Sequence, residues 1–179
     1  MSTAADHPVF SRPLRVDELR DGASGTLVAT PSELAAMARL MDLVVLEEFT
    51  FSSRLTNAGE GRLRLSGRLN AKLAQTCVVS LEPLAAWLDL PVEIDFWPSG
   101  LLEASERSTE DPGNLHDWPE PIVHGTIDPG PVLYEVLATS IDPYPKREGA
   151  SFEWSQPALP AGESQETGPF AALKALKPR

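Results

Sequence analysis

The chain has 179 residues, 42% of them apolar and 23% charged, with a formal net charge of −11. That length suits one domain with a hydrophobic core plus tails, and does not comfortably make two. A single cysteine, Cys77, excludes an internal disulfide framework and a cysteine-based zinc cluster, and no apolar run approaches the roughly 20 residues of a membrane span.

The 17 prolines imply extended or irregular stretches. Residues 1–8 lack the basic cluster and apolar run of a signal peptide, so the expected compartment is the cytoplasm. Charge is divided unevenly. Residues 1–80 carry nine basic and nine acidic side chains, whereas residues 81–179 carry six and seventeen. An acidic surface is repelled by phosphate, which disfavours generic nucleic-acid binding over the whole protein. A local basic patch in the neutral half can still meet RNA; a basic protein partner, or solubility alone, is the other reading of the acidic half.

In chain order, Phe10 to Val16 is the first expected strand, and Gly25 to Ala29 the second. Thr30, Pro31 and Glu33 then form the sequence signature of a capped helix start, followed by Leu34, Met37, Ala38 and Met41 at helical spacing. From Val44 the period becomes two. Phe49, Phe51, Ser53 and Leu55 alternate with polar residues, and after a loop at 57–61 a second run follows. There Leu63, Leu65, Leu69, Ala71 and Leu73 share one face, with Arg62, Arg64, Arg68, Asn70 and Lys72 on the other. The two runs read as a β-hairpin with one buried side. A third run, Leu88 to Trp97, turns Leu88, Leu90, Val92, Ile94 and Phe96 inward, and its Pro91 points to a sheet edge or a bulge.

Residues 98–120 are acidic and rich in Ser, Pro and Gly, and read as a mobile loop. A short strand at 122–127 and a second helix at 131–141 complete a domain spanning 1–150. The tail 151–179 reads as largely disordered, with a short amphipathic segment near its end. The expected class is α+β: a twisted antiparallel sheet, in the limit barrel-like, with two flanking helices.

Chemistry has little support in these residues. His116, Asp117, His124 and Asp128 lack the spacing of a metal site. Cys77 paired with His124 would need an activated thiol, but its sequence neighbours are uncharged. No glycine-rich phosphate loop joins a strand to a helix. No catalytic, cofactor-binding or metal-binding residue is therefore expected. The strongest candidate for function is the row Arg62, Arg64, Arg68 and Lys72, a line of positive charge roughly 33 Å long at about 3.3 Å per residue. The competing reading is a solvated face whose cations pair with Asp89, Glu93 and Asp95. Phe152, Trp154, Phe170, Leu173 and Leu176 are candidate docking residues of the tail.

Several landmarks together resemble the YceD family of large ribosomal RNA accumulation proteins, in its alphaproteobacterial branch. They are Phe10-Ser11-Arg12-Pro13 with Val16 and Leu19, the central Gln75 to Pro83, then Ile127, Asp128, Gly130 and Glu135 followed by Asp142-Pro143-Tyr144-Pro145-Lys146 and Gly149-Ala150, and the tail Gly168 to Lys177. Two positions depart from the pattern. Many relatives carry a second cysteine where this chain has Ser80, and Pro129 and Pro131 flank Gly130 where relatives more often lack proline. The resemblance implies a non-enzymatic factor supporting large-subunit rRNA accumulation, without a cofactor. Its implied partners are ribosomal RNA, a basic large-subunit ribosomal protein, or both; an acidic chaperone that holds such a protein without touching RNA is the alternative.

Overall fold

Period-two patterning in the middle of the chain builds three long strands, and everything else is arranged around them. The computed structural model describes residues 8–108 and 118–152, with the backbone alone for 104–108. In chain order the elements are β1 (Leu14–Arg15), β2 (Ser24–Val28), α1 (Pro31–Leu40), β3 (Val45–Gly59), β4 (Arg62–Thr76), β5 (Pro83–Pro98), α2 (Ser99–Ser108), β6 (Glu120–Ile122), β7 (Thr126–Ile127) and α3 (Gly130–Ser140). A five-stranded sheet has the order β2-β3-β4-β5-β6, and β1 pairs with β7 in a separate two-stranded ribbon. The class is α+β. No described helix is long and apolar enough to cross a membrane.

The sheet is open, not barrel-like. Its outer members, β2 and β6, have five and three residues and each pairs on one side only, so closure has no strands to join. Nor is it purely antiparallel: β6 runs parallel to the end of β5, through Phe96↔Glu120 to Pro98↔Ile122. Inward residues of β3, β4 and β5 are buried as their alternation dictates. They join Met37 and Ala38 of α1, Leu133 and Leu137 of α3, and Phe10 in one core. Two residues suffice to turn β3 into β4. Glu60 and Gly61 both have positive φ, 55° and 75°, the condition for a type I′ turn, so the expected five-residue loop is shorter than its composition suggested.

Two further expectations change. Of the region read as a mobile loop, residues 99–108 form α2, anchored by the buried Leu102. Leu101, Leu102, Glu103 and Ala104 are good helix formers, and local propensity outweighed the polar composition. Residues 109–117 lie outside the described part, as does the tail beyond Phe152. The expected first strand from Phe10 is also mostly absent, since only Leu14 and Arg15 pair in a ladder.

Side chains hold that N-terminal segment instead. Asp128 accepts from the Ser11 hydroxyl (2.5 Å), the Arg12 backbone N–H (2.7 Å) and the Gly130 N–H (2.9 Å). The Arg12 guanidinium lies over the Phe10 ring and forks onto both oxygens of Glu33, at 2.7 and 2.8 Å. Glu33 in turn closes the capping box of α1 with Thr30, as the sequence signature requires. One three-residue stretch thus ties the starts of both α1 and α3 to the core. Gly130 allows the approach, because a Cβ there would sit 2.5 Å from the Phe10 carbonyl oxygen.

The Arg12 fork holds the Glu33 carboxyl down from 4.5 to about 2. Because the folded value is depressed, the stabilisation is complete above about 4.5 and disappears as pH falls towards 2. Arg12→Gln should cost about 1–2 kcal/mol at neutral pH. In urea titrations the variant and the native chain should converge in stability near pH 2; parallel curves down to that pH would show that the pair contributes nothing.

Candidate functional site

Even-numbered residues of β4 point away from the core, so Arg62, Arg64, Arg68 and Lys72 do form the row that alternation predicts. The unshifted register between β4 and β5 then brings carboxylates beside them. Arg64 lies opposite Asp95 and forks onto it at 2.7 and 2.8 Å, with Glu93 at 3.1 Å. Arg68 reaches diagonally to Asp89 at 2.7 Å. At the other end Arg62 bonds Glu60 at 2.8 Å and lies 5.3 Å from the centre of the Trp97 ring. Lys72 meets Glu47 at 2.5 Å. Glu47 falls at a β-bulge between Leu46 and Glu48, where the extra residue of β3 sits against the Lys72 step.

Each cation of the row is therefore compensated. The hydrogen bond that Arg64 donates to Asp95 holds its guanidinium up, that from Arg68 to Asp89 does the same for Arg68, and the bond to Glu47 raises Lys72. In return, Arg68 lowers Asp89. The geometry realises the pairing with Asp89, Glu93 and Asp95, and adds Glu47 and Glu60. Phosphate approaching this face would have to displace carboxylates that already occupy the guanidinium forks. Arg54, opposite Ser66 on the same sheet face, has no ion pair among the described residues.

Of the candidate tail-docking residues, Phe152 is exposed, while Trp154, Phe170, Leu173 and Leu176 lie outside the described residues. Of the four residues weighed as a metal set, only His124 and Asp128 are described. His124 forms a tight turn with Gly125, both at positive φ, and Asp128 is committed to Ser11, Arg12 and Gly130. His116 and Asp117 are not described. No group of three or more metal-ligating side chains exists among the described residues.

Sequence neighbours misrepresent Cys77. Its side chain is fully buried at the β4–β5 turn, as expected of a structural thiol. Yet the backbone N–H groups of Ser80 and Arg147 both point at Sγ, at 3.5 and 3.3 Å. Bonds from Ser80, led by its side chain, and the amide of Arg147 pull the thiol from 9 down to about 6, while burial acts in the opposite direction. Arg147 lies seventy residues away in sequence, so no local signal could have revealed it. The same corner is fastened by Val78 N–H to the Pro145 carbonyl, Gln75 to the Asp142 carbonyl, and Arg147 to Glu82. These bonds dock the segment after α3 onto the hairpin end. The thiol is enclosed, and among the described residues no base stands within bonding distance of it.

An open apolar groove of about 650 Å³ runs between α1 and the start of β3, along Leu34, Ala38, Leu43 and Val44. Among the described residues its titratable lining consists of Arg39 and Asp42. Compared with family models, curated proteins and solved structures, the chain matches none.

Two substitutions separate roles here. Replacing Arg64, Arg68 and Lys72 together by Gln should lower the melting temperature only slightly, because exposed pairs stabilise little; a collapse of more than a few degrees would mean that the ladder holds the sheet. Cys77→Ser should lower the melting temperature clearly, since its hydroxyl replaces a larger buried sulfur. Unchanged melting together with lost cellular function would instead assign chemistry to the thiol.

Proposed function

We propose that this protein is a non-enzymatic ribosome-biogenesis factor of YceD type, acting in the cytoplasm by holding a basic large-subunit ribosomal protein. Support for the process comes from the ordered resemblance in sequence. Those landmarks coincide with structural joints: Ser11 and Arg12 meet Asp128, and the Cys77 turn meets the segment 142–147.

The choice of partner rests on one observation, the compensated ladder. Arg62, Arg64, Arg68 and Lys72 each have a carboxylate within 2.8 Å. A row already neutralised releases few counterions on meeting RNA and gains little from phosphate. The acidic excess of residues 81–179 remains to attract a basic surface. Shielding an aggregation-prone basic protein until it is assembled requires only such complementarity, with no bond made or broken.

Deleting the gene should lower the ratio of large to small subunits on sucrose gradients and leave large-subunit rRNA precursors. Crosslinking in cells should recover a basic ribosomal protein. The Arg62→Gln, Arg64→Gln, Arg68→Gln, Lys72→Gln quadruple variant should still restore the gradient profile. Normal profiles in the deletion strain, including in the cold, would overturn the process. Recovery of rRNA alone, lost in the quadruple variant, would overturn the partner.

A further inference from the structure

We propose that the free edge of β5 between Pro83 and Pro91 is a docking site for a short extended segment of a protein, with alternating basic and apolar residues, added as a further strand. The proposal rests on the reading of a basic protein partner and states where and how that partner is held.

The hydrogen-bonding direction of β5 follows from its prolines. β5 pairs with β4 from Pro83 to Phe96 without a register shift, so its backbone groups alternate strictly between the β4 side and the outer side. On the outer side β6 covers only Phe96 to Pro98. In that parallel pair Trp97 stands opposite Pro121, which has no N–H, so Trp97 must supply both the donor and the acceptor of the step. Odd-numbered residues of β5 therefore face outward. Pro83 and Pro91 fall on this set and cost the β4 ladder no bond. Between them, Ala85 and Trp87 turn N–H and C=O groups to the outer edge, where no described strand pairs with them, and Asp89 turns its N–H there while its carbonyl accepts from Arg68 at 3.4 Å.

Natural edges are guarded by proline and charge. Here the guards stand at the two ends, and the centre of the open stretch carries Trp87, a large aromatic left 58% exposed. An added strand would place alternate side chains on the two faces of the sheet. On the outer face they would lie beside Trp87, Asp89 and Glu93. No Lys or Arg occurs in β5, and Asp89 and Glu93 each hold one cation of β4 through one carboxylate oxygen, Asp89 with Arg68 and Glu93 with Arg64. On the inner face they would lie beside Leu84, Ala86, Leu88 and Leu90, which are half-buried at this margin while Val92, Ile94 and Phe96 further along are buried. Basic residues on one side of the incoming strand and apolar residues on the other satisfy both faces. Main-chain bonds to the edge supply affinity, and Trp87 offers a π-face to a cation.

The test uses the full chain, isotope-labelled, titrated with a short peptide of alternating lysine and valine. Controls are an alternating glutamate–valine peptide and a lysine–valine peptide of the same composition arranged in two blocks. Amides of Ala85, Trp87 and Asp89 should shift and slow in hydrogen exchange with the alternating basic peptide alone. Ala85→Pro removes one outward donor without touching the β4 ladder and should weaken binding about tenfold with little change in melting. Trp87→Ala keeps every donor and should weaken it several-fold.

Equal binding to Ala85→Pro, equal protection by the acidic or blocked peptide, or protection confined to other residues would overturn the site. Protection of these amides by single-stranded RNA and not by the peptide would assign the edge to nucleic acid. Protection without peptide that rises with protein concentration, with a dimer in sedimentation, would assign it to a second copy. The underlying reading fails separately. A basic ribosomal protein retained equally by the native chain and Ala85→Pro removes the edge and leaves the partner, whereas peptide binding without any such protein retained from cells removes the partner and leaves the edge.

Discussion

The unbroken register between β4 and β5, from Leu63↔Phe96 to Thr76↔Pro83, is the constraint on which the other features depend. Because side chains alternate with period two, a slip of one residue would send Leu63, Leu65 and Leu69 to solvent and drive Arg64 and Arg68 into the core. The same register sets Asp95 opposite Arg64 and Asp89 on the diagonal to Arg68, so the ion pairs outside and the apolar packing inside are two consequences of one alignment. A third consequence is the direction of the unpaired backbone groups along the outer side of β5. Core, charged face and edge cannot be changed independently.

Where one face is buried and the strand is long, the sequence was easily read. The alternation from Phe49 to Leu73 identified the inward side residue by residue, and Thr30, Pro31 and Glu33 located the start of α1. Pro91 signalled an edge or a bulge; β5 pairs with β4 without a bulge, and no described strand pairs with its outer side around Pro91. Short elements were located only coarsely. Leu14–Arg15 and Thr126–Ile127 fall inside the strands expected at Phe10 to Val16 and 122–127, but their two-residue extent is set by their pairing with each other, which no local pattern encodes. The charged row was legible as a row, but its compensation was only half legible. Asp89, Glu93 and Asp95 follow from counting along β5, whereas Glu47 depends on a bulge and Glu60 on a two-residue turn. Cys77 shows the limit most clearly: its immediate neighbours are uncharged, and its distant amide donor arrives from beyond α3.

Two corners fasten the periphery to this sheet by different chemistry. At one, Arg12 and Asp128 satisfy a stretch of backbone that has almost no ladder of its own, using charge-assisted bonds where β-pairing is missing. At the other, the sulfur of Cys77 and the carboxylate of Glu82 receive Arg147, while the Gln75 amide and the Val78 N–H donate to carbonyls of the segment that follows α3. Both corners leave the outer face and the β5 margin uncovered by described elements. The surface on which the functional reading rests is thus spared by the same connections that complete the core.

The spacing of these fastenings along the chain has a kinetic meaning. β3, β4 and β5 are joined by short turns and pair with their neighbours in sequence, so closing them costs little loop entropy. The bonds from Ser11 and Arg12 to Asp128 span 117 and 116 residues and can form only once the intervening chain has been brought together. Contacts of such separation add to the barrier if they belong to the folding nucleus, and otherwise form after it is crossed. If the β3–β5 meander is the nucleus, the N-terminal fastening falls on the late side. It then governs how fast the native protein opens far more than how fast it folds, making the first residues of the domain the latch that sets its lifetime.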